Sequence, residues 1–86
     1  LAPWQARRAV EYLAARLDAD VRLTDLAAAV GLSPFHFARA FRVTMGEPPH
    51  RHHVRLRIET ARRLLATTSR PVIDIALECG FSAPQA

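Results

Sequence analysis

Hydrophobic and polar positions follow the period of an α-helix in several segments of the chain. In the first segment, charged side chains take one side of a helical projection, and apolar ones take the other, at Ala6, Val10, Leu13 and Leu17. This pattern predicts a supporting helix that begins near Pro3 and Trp4. Polar and β-branched residues at positions 18–22 then interrupt it.

The segment 23–42, LTDLAAAVGLSPFHFARAFR, predicts two short helices that cross at a tight turn. Gly31 supplies the positive φ that such a turn needs, and Ser33 followed by Pro34 is a typical helix start. We expect the second helix to span residues 34–44. Its inward side chains are Phe37, Ala40 and Phe41. Its outer face carries Phe35, His36, Arg39 and Arg42.

Such an outer face is typical of a helix that enters a DNA major groove. Guanidinium groups suit guanine edges and phosphates, and an aromatic or imidazole ring suits base contacts. However, two amphipathic helices around a glycine also occur in helical domains that bind no nucleic acid. This segment alone therefore leaves both interpretations open.

A second helical region follows the sequence Gly46–Pro49, whose two prolines cannot continue the preceding helix. We expect a longer helix from about His50 to Ala66. Its apolar positions lie one above another, at Val54, Ile58, Ala61, Leu64 and Leu65. At about 1.5 Å per residue it would span roughly 25 Å, enough to act as a spacer.

An internal repeat defines the architecture. VIDIALECGFS, residues 72–82, repeats LTDLAAAVGLS, residues 23–33, at a constant offset of 49 positions. The two copies are identical at the pairs Asp25 and Asp74, Ala27 and Ala76, Gly31 and Gly80, and Ser33 and Ser82. The chain is therefore expected to contain the same helix–turn unit twice, joined by one helix.

Composition is consistent with a small DNA-binding domain. Eighty-six residues allow one small domain, and the formal charge of +4 is the difference between 12 basic residues, all of them arginine, and 8 acidic ones. Arginine suits bidentate contacts to phosphate and guanine, so the balance weakly favours a polyanionic partner. The single cysteine fits a reducing compartment, and we expect a cytoplasmic protein. The sequence has no apolar run of membrane-spanning length and no signal-peptide pattern.

Other chemistry has little support in the sequence. Cys79 is the single cysteine and matches Val30 in the repeat, so we expect a core thiol in place of a nucleophile. His50, His52 and His53 do not have the spacing of a shared metal site, and we expect a solvated helix start there. No spacing forms a catalytic or phosphate-binding motif, which predicts neither an enzyme nor a cofactor.

Three motifs together resemble the twin helix-turn-helix DNA-binding domain of the AraC/XylS family of bacterial transcription regulators. They are LTDLAAAVGLSPFHFARAFRVTMGEPP, VRLRIETARRLLATT and VIDIALECGF. The resemblance implies an all-α fold of two homeodomain-like helix-turn-helix subdomains joined by a long linker helix. They would occupy residues 1–45 and 68–86 around a turn and linker at 46–67. The family continues beyond the last residue here, so we expect the second subdomain to be incomplete within these 86 residues.

The resemblance also implies which residues meet DNA. In the first recognition helix these are Pro34, Phe35, His36, Ala38 and Arg39, with Ser33 and Arg42 directed to phosphates. The second recognition helix would begin at Ser82 and bring Pro84 and Gln85 near the DNA. His52 departs from the family pattern, which tends to have tyrosine at that position.

Double-stranded DNA is thus the expected partner, and any effector would bind a domain outside this chain. The competing hypothesis is a protein-interaction domain that keeps the fold and binds a partner such as RNA polymerase, with little DNA affinity of its own. The salt dependence of binding distinguishes the two, because phosphate contacts release counterions.

Overall fold

A computed structural model describes residues 1–81, which form five α-helices and no strand. These helices are α1 (Pro3–Ala15), α2 (Leu23–Ala29), α3 (Pro34–Met45), α4 (Pro49–Thr67) and α5 (Val72–Glu78). The all-α prediction is confirmed. Helix α3 ends one residue later than predicted, and α4 is longer than predicted by one residue at each end. Leu17, which was predicted to lie on the first helix, lies beyond the end of α1.

The first three helices pack around one core. Its members are at most 2 % exposed and comprise Ala9, Leu13, Leu26, Ala27, Val30, Phe37 and Phe41. The central pair on α1 is Ala9 and Leu13, and the predicted Ala6 and Val10 are only half-buried. Residues four apart share one row of a helix, and this row is the one that faces α2 and α3.

The predicted turn between α2 and α3 is confirmed. Gly31 has φ of +73°, and the amide of Leu32 donates to the Ala27 carbonyl at 3.0 Å. Two side chains from α1 satisfy the carbonyls at the end of α2. Arg8 Nε donates to the Ala29 carbonyl at 2.7 Å, and Gln5 Nε2 donates to the Val30 carbonyl at 3.1 Å. Together they hold α2, and through it α3, in a fixed position on α1.

The repeat inferred from the sequence is present in the backbone. Helix α5 has the same length as α2 and starts 49 residues later. Gly80 has φ of +87°, and the amide of Phe81 donates to the Ala76 carbonyl at 2.9 Å, as Leu32 does to Ala27. Identical residues at the demanding positions therefore produce the same helix–turn geometry twice.

Helix α4 connects the two units. It has 19 residues, and α5 packs against it. Ile75 and Cys79 are buried, at 1 % and 0 % exposed, so the expected core thiol is confirmed and burial raises the pKa of Cys79. In contrast, Ile58 and Leu65 on the predicted apolar stripe remain 42 % and 50 % exposed. One short helix covers only part of that stripe.

The histidine cluster does not form a solvated helix start. His52 and His53 are each 4 % exposed because the first turns of α4 pack on α1 and α3. His52 Nδ1 lies 3.1 Å from Glu47 Oε1, and its ring packs edge-on against Phe41 with centroids 5.6 Å apart. The His52 imidazole thus packs in the interior as an aromatic ring does. No group of three or more metal-binding side chains occurs within residues 1–81.

His53 attaches α4 to the α1–α2 connection, residues 16–22. Its Nε2 lies 3.0 Å from the Arg16 carbonyl oxygen, and since a carbonyl only accepts, this nitrogen carries the proton. Burial lowers the pKa of His53 below its usual 6.5, and the neighbouring charge of Arg57 lowers it further. The bond to the carbonyl and the charge of Asp20 oppose this shift.

His53 should make stability depend on pH in the mildly acidic range. The unfolded chain binds a proton here at a higher pH than the folded chain does. The contribution is therefore complete above about pH 6.5 and is lost as pH falls through the lowered folded pKa. We expect urea unfolding of His53→Gln to show a smaller loss of stability between about pH 7.5 and 5.5 than the wild type. Identical slopes for wild type and His53→Gln would contradict this assignment.

Candidate nucleic-acid interface

One face of α3 is directed away from the core. Phe35 is 72 % exposed, and His36, Arg39 and Arg42 are also exposed. The face lies opposite Phe37 and Phe41, whose rings pack 5.5 Å apart in the core. The predicted inward position of Ala40 is only half-buried. The two phenylalanines thus anchor α3 and leave its polar face to the solvent.

Arg39 and Phe35 form a pair on this face. They are four residues apart, and the Arg39 guanidinium carbon lies 5.7 Å from the Phe35 ring centroid. An exposed cation–π contact of this kind contributes about 0.5–1 kcal/mol. It restricts the rotamers of the arginine without satisfying its N–H donors. The guanidinium is therefore partly oriented and still able to bind an acceptor.

Among the described residues, carboxylates pair with two of the later arginines but with neither arginine of α3. Within residues 1–81, neither Arg39 nor Arg42 forms an ion pair with a carboxylate. In contrast, Arg55 bonds Glu47 at 2.6 Å and Glu59 at 2.9 Å, which raises the pKa of Arg55 and lowers that of Glu47. Arg70 pairs with Glu78. The two α3 arginines are thus free for an anionic partner.

The start of α3 has the cap that the sequence predicted. Ser33 Oγ accepts from the His36 amide at 3.2 Å, and Pro34 takes the first helical position. A hydroxyl that accepts one bond can still donate its proton. The positive end of a 12-residue helix also favours an anion nearby. These features make Ser33 suitable for a phosphate contact.

Ala38 lies on another side of the helix. It is half-buried and lines a cleft of about 340 Å³ between α3, the start of α4 and the α1–α2 connection. His36 and Arg39 instead border a second, shallow recess, together with Phe35 and Val43. Ala38 is therefore separated from the recess that Phe35, His36 and Arg39 share.

Val43 was not among the residues predicted to meet DNA. It is 85 % exposed, the most exposed large apolar side chain in residues 1–81, and it borders the same recess as Arg39. The sequence spacing could have indicated this residue, because Val43 follows Arg39 by four residues and Phe35 by eight, and such residues share one helix face. The predicted contacts Ser82, Pro84 and Gln85 lie outside the residues that the structure describes.

Comparison with known proteins shows which family this chain is similar to. The sequence profile of a family described as "Helix-turn-helix domain" matches residues 26–86. The HTH-type transcriptional regulator Rv1931c of Mycobacterium tuberculosis is 42 % identical over 64 residues, which cover 74 % of this chain and 25 % of that protein. The regulatory protein PocR of Salmonella typhimurium is 36 % identical over 76 residues, 88 % of this chain and 25 % of PocR. The chain thus spans about a quarter of these relatives' length.

Solved structures agree with the sequence relatives. An AraC-type transcriptional regulator from Chromobacterium violaceum superposes with a TM-score of 0.82 at 33 % identity, covering 92 % of this chain and 70 % of that one. The DNA-binding domain of AdpA, solved in complex with a target DNA, gives a TM-score of 0.80 at 29 % identity, covering 92 % and 71 %. In the part of the chain that the structure describes, no helix is long and apolar enough to cross a membrane. The chain therefore belongs to the AraC-type helix-turn-helix family, the DNA-binding domains of bacterial transcription regulators.

Proposed function

We propose that this domain reads a specific DNA sequence by inserting α3 into a major groove. The observation that carries the proposal is the Arg39–Phe35 pair, an arginine that is exposed, oriented and free of carboxylates within residues 1–81. A rigid helix with such a residue is suited to the bidentate donors of a guanine edge. The DNA complex of the AdpA domain, which shares this fold, supports the same partner here.

The exposed residues divide into two roles. Arg39, Phe35 and His36 are proposed to face the base edges, with Val43 beside them, or Ala38 at the edge of this face, offering an apolar surface to a thymine methyl group. Ser33 at the start of α3 and Arg42 on its flank are proposed to hold phosphates. Pro34 preorganises the first turn of this helix. Phosphate contacts would set the register, and base contacts would set the sequence preference.

We further propose that the chain divides into a first unit at residues 1–45, a turn and linker at 46–67 and a second unit from residue 68. The second recognition helix would start near Ser82, with Pro84 and Gln85 at the DNA. Grooves on one face of B-DNA repeat about every 34 Å. The 19 residues of α4 span about 28 Å and can bridge most of that distance with the flanking turns. Because the outward residues of the two units differ, the site would contain unlike half-sites.

Selection from a random DNA pool by the full-length protein tests the proposal. We expect selected DNA to bind about 1,000-fold more tightly than random DNA at physiological salt. The logarithm of affinity should fall with the logarithm of salt concentration by about 0.9 per neutralised phosphate. Equal binding to selected and random DNA would reject sequence-specific readout. A partner protein bound with little salt dependence, without DNA binding, would instead favour the protein-interaction hypothesis.

A further inference from the structure

The turn at Gly80 lies directly against the first unit. A methyl group built on Gly80 would lie 2.6 Å from the Leu17 carbonyl oxygen and 2.7 and 3.0 Å from Arg57 Nε and Cζ. Side-chain carbons do not approach other heavy atoms this closely without displacing them. Glycine at this position therefore permits close approach as well as the positive φ of +87°.

The matched glycine of the first unit has no such neighbour. Gly31 has φ of +73°, yet nothing lies within 4 Å of a methyl group built there. The positive φ is thus common to both copies of the repeat, and the close approach belongs to the second copy alone. The contact at Gly80 is a feature of the junction between the units, and the helix–turn motif itself does not require it.

Arg57 is the central residue of this junction. From α4, its Nε donates to the Leu17 carbonyl at 2.7 Å and its Nη2 donates to the Ala19 carbonyl at 2.9 Å. One turn earlier on α4, His53 donates to the Arg16 carbonyl at 3.0 Å. Two successive turns of α4 are therefore bonded to the α1–α2 connection, and the Gly80 turn lies against the Arg57 guanidinium. One planar, rigid group on α4 thus contacts two other segments of the chain.

We infer that Arg57 and Gly80 set the position of the second helix-turn-helix unit relative to the first, and hence the spacing between the two half-sites that the protein accepts. The inference rests on the proposed function. Arg57 is in this view a positioning residue that does not contact DNA. The proposed second recognition helix would start only two residues after Gly80, so a shift of this turn would be transmitted to it. Without the junction, α5 would keep its packing on α4 but lose its contact with the first unit.

The spacing preference of the full-length protein tests this inference. DNA carrying both selected half-sites is compared with versions in which one base pair is inserted or removed between them. We expect the wild type to lose at least about tenfold in affinity on the altered spacings, the cost typical of one wrong base pair. Arg57→Gln should reduce this difference to about threefold or less, while its binding to the first half-site alone stays as in the wild type. Arg57→Lys, with a single charged donor group, should fall between them.

A double-mutant comparison separates the junction from general strain. Gly31→Ala and Gly80→Ala both force alanine to adopt a positive φ, but only the second places a methyl group against Arg57. The loss in midpoint of thermal unfolding caused by Gly80→Ala should be larger than that caused by Gly31→Ala. It should also be smaller in the Arg57→Gln background than in the wild type, because one of the two clashing groups is gone. This effect on stability does not depend on DNA.

The outcomes are distinguishable. If the wild type shows no preference for selected half-sites, the proposed function fails, and the stability comparison still decides whether the junction couples the units. If the wild type is selective but Arg57→Gln keeps the same spacing preference, Arg57 does not set the spacing and the inference is overturned. Additive effects of Gly80→Ala and Arg57→Gln on stability would overturn it as well.

Discussion

Replacement of Phe41 by alanine is expected to destabilise the domain by about 3–5 kcal/mol, because it opens a cavity where three elements meet. The Phe41 ring is fully buried, packs against Phe37 at 5.5 Å and receives the edge of His52 at 5.6 Å. A small domain has about 5–15 kcal/mol of total stability, so the loss is a large part of it. Urea unfolding followed by far-ultraviolet circular dichroism measures the change.

Phe35→Ala is the matched control on the same helix. Its ring is 72 % exposed, and its removal costs only the contact with Arg39, so we expect a change in stability within about 0.5–1 kcal/mol. The same variant should weaken DNA binding, whereas Phe41→Ala acts on folding. An unchanged unfolding midpoint for Phe41→Ala would show that this ring does not hold α3 on the core.

Arg39→Ala is expected to weaken binding to the selected DNA by about 1–3 kcal/mol, roughly 5- to 150-fold. The physical reason is the loss of a bidentate base contact, so the preference at one base position should relax at the same time. Affinity for DNA containing each of the four base pairs at that position, measured by fluorescence anisotropy, reports both effects. Arg39→Lys should recover charge but little of the base preference, because an ammonium group lacks the planar fork.

Arg42→Ala provides the comparison for a phosphate contact. It should weaken binding to all sequences by a similar factor and reduce the slope of log affinity against log salt by about 0.9. Both arginines are exposed and free of carboxylates within residues 1–81, so the two variants remove the same charge from neighbouring positions. If Arg39→Ala lowered binding to selected and random DNA by one common factor, a base-reading role for Arg39 would be wrong.

Carboxylates compensate only some of the arginines within residues 1–81. Arg55 and Arg70 are bound by carboxylates, and Arg57 is bound by backbone carbonyls. The carboxylates reduce the net charge that Arg55 and Arg70 offer to a partner, whereas the carbonyls fix the position of Arg57 without neutralising it. Arg39 and Arg42 on α3 are among the arginines that no carboxylate compensates in the described part of the chain.

Local features of the fold were determined by the sequence. Gly31 and Gly80, at an offset of 49 residues, predicted two equivalent turns, and both have a positive φ. Ser33 with Pro34 predicted a capped helix start, and the serine hydroxyl accepts the expected bond. These features depend on residues within four or five positions of each other. Their geometry follows from backbone sterics and local hydrogen bonds, which the amino-acid order specifies directly.

Only the tertiary structure decided which side chains are buried by other helices. Ala9 lies in the core where Ala6 and Val10 were expected, and His52 and His53 are buried although the residues around them predicted exposure. The junction of Arg57 with Leu17 and Gly80 joins segments 40 and 23 positions away from that arginine, and no local pattern indicates it. Burial and long-range hydrogen bonds depend on which helix face meets another element. The periodicity of one helix defines that face only to within about one residue position. Packing against the other elements then determines which residues of the helix are buried.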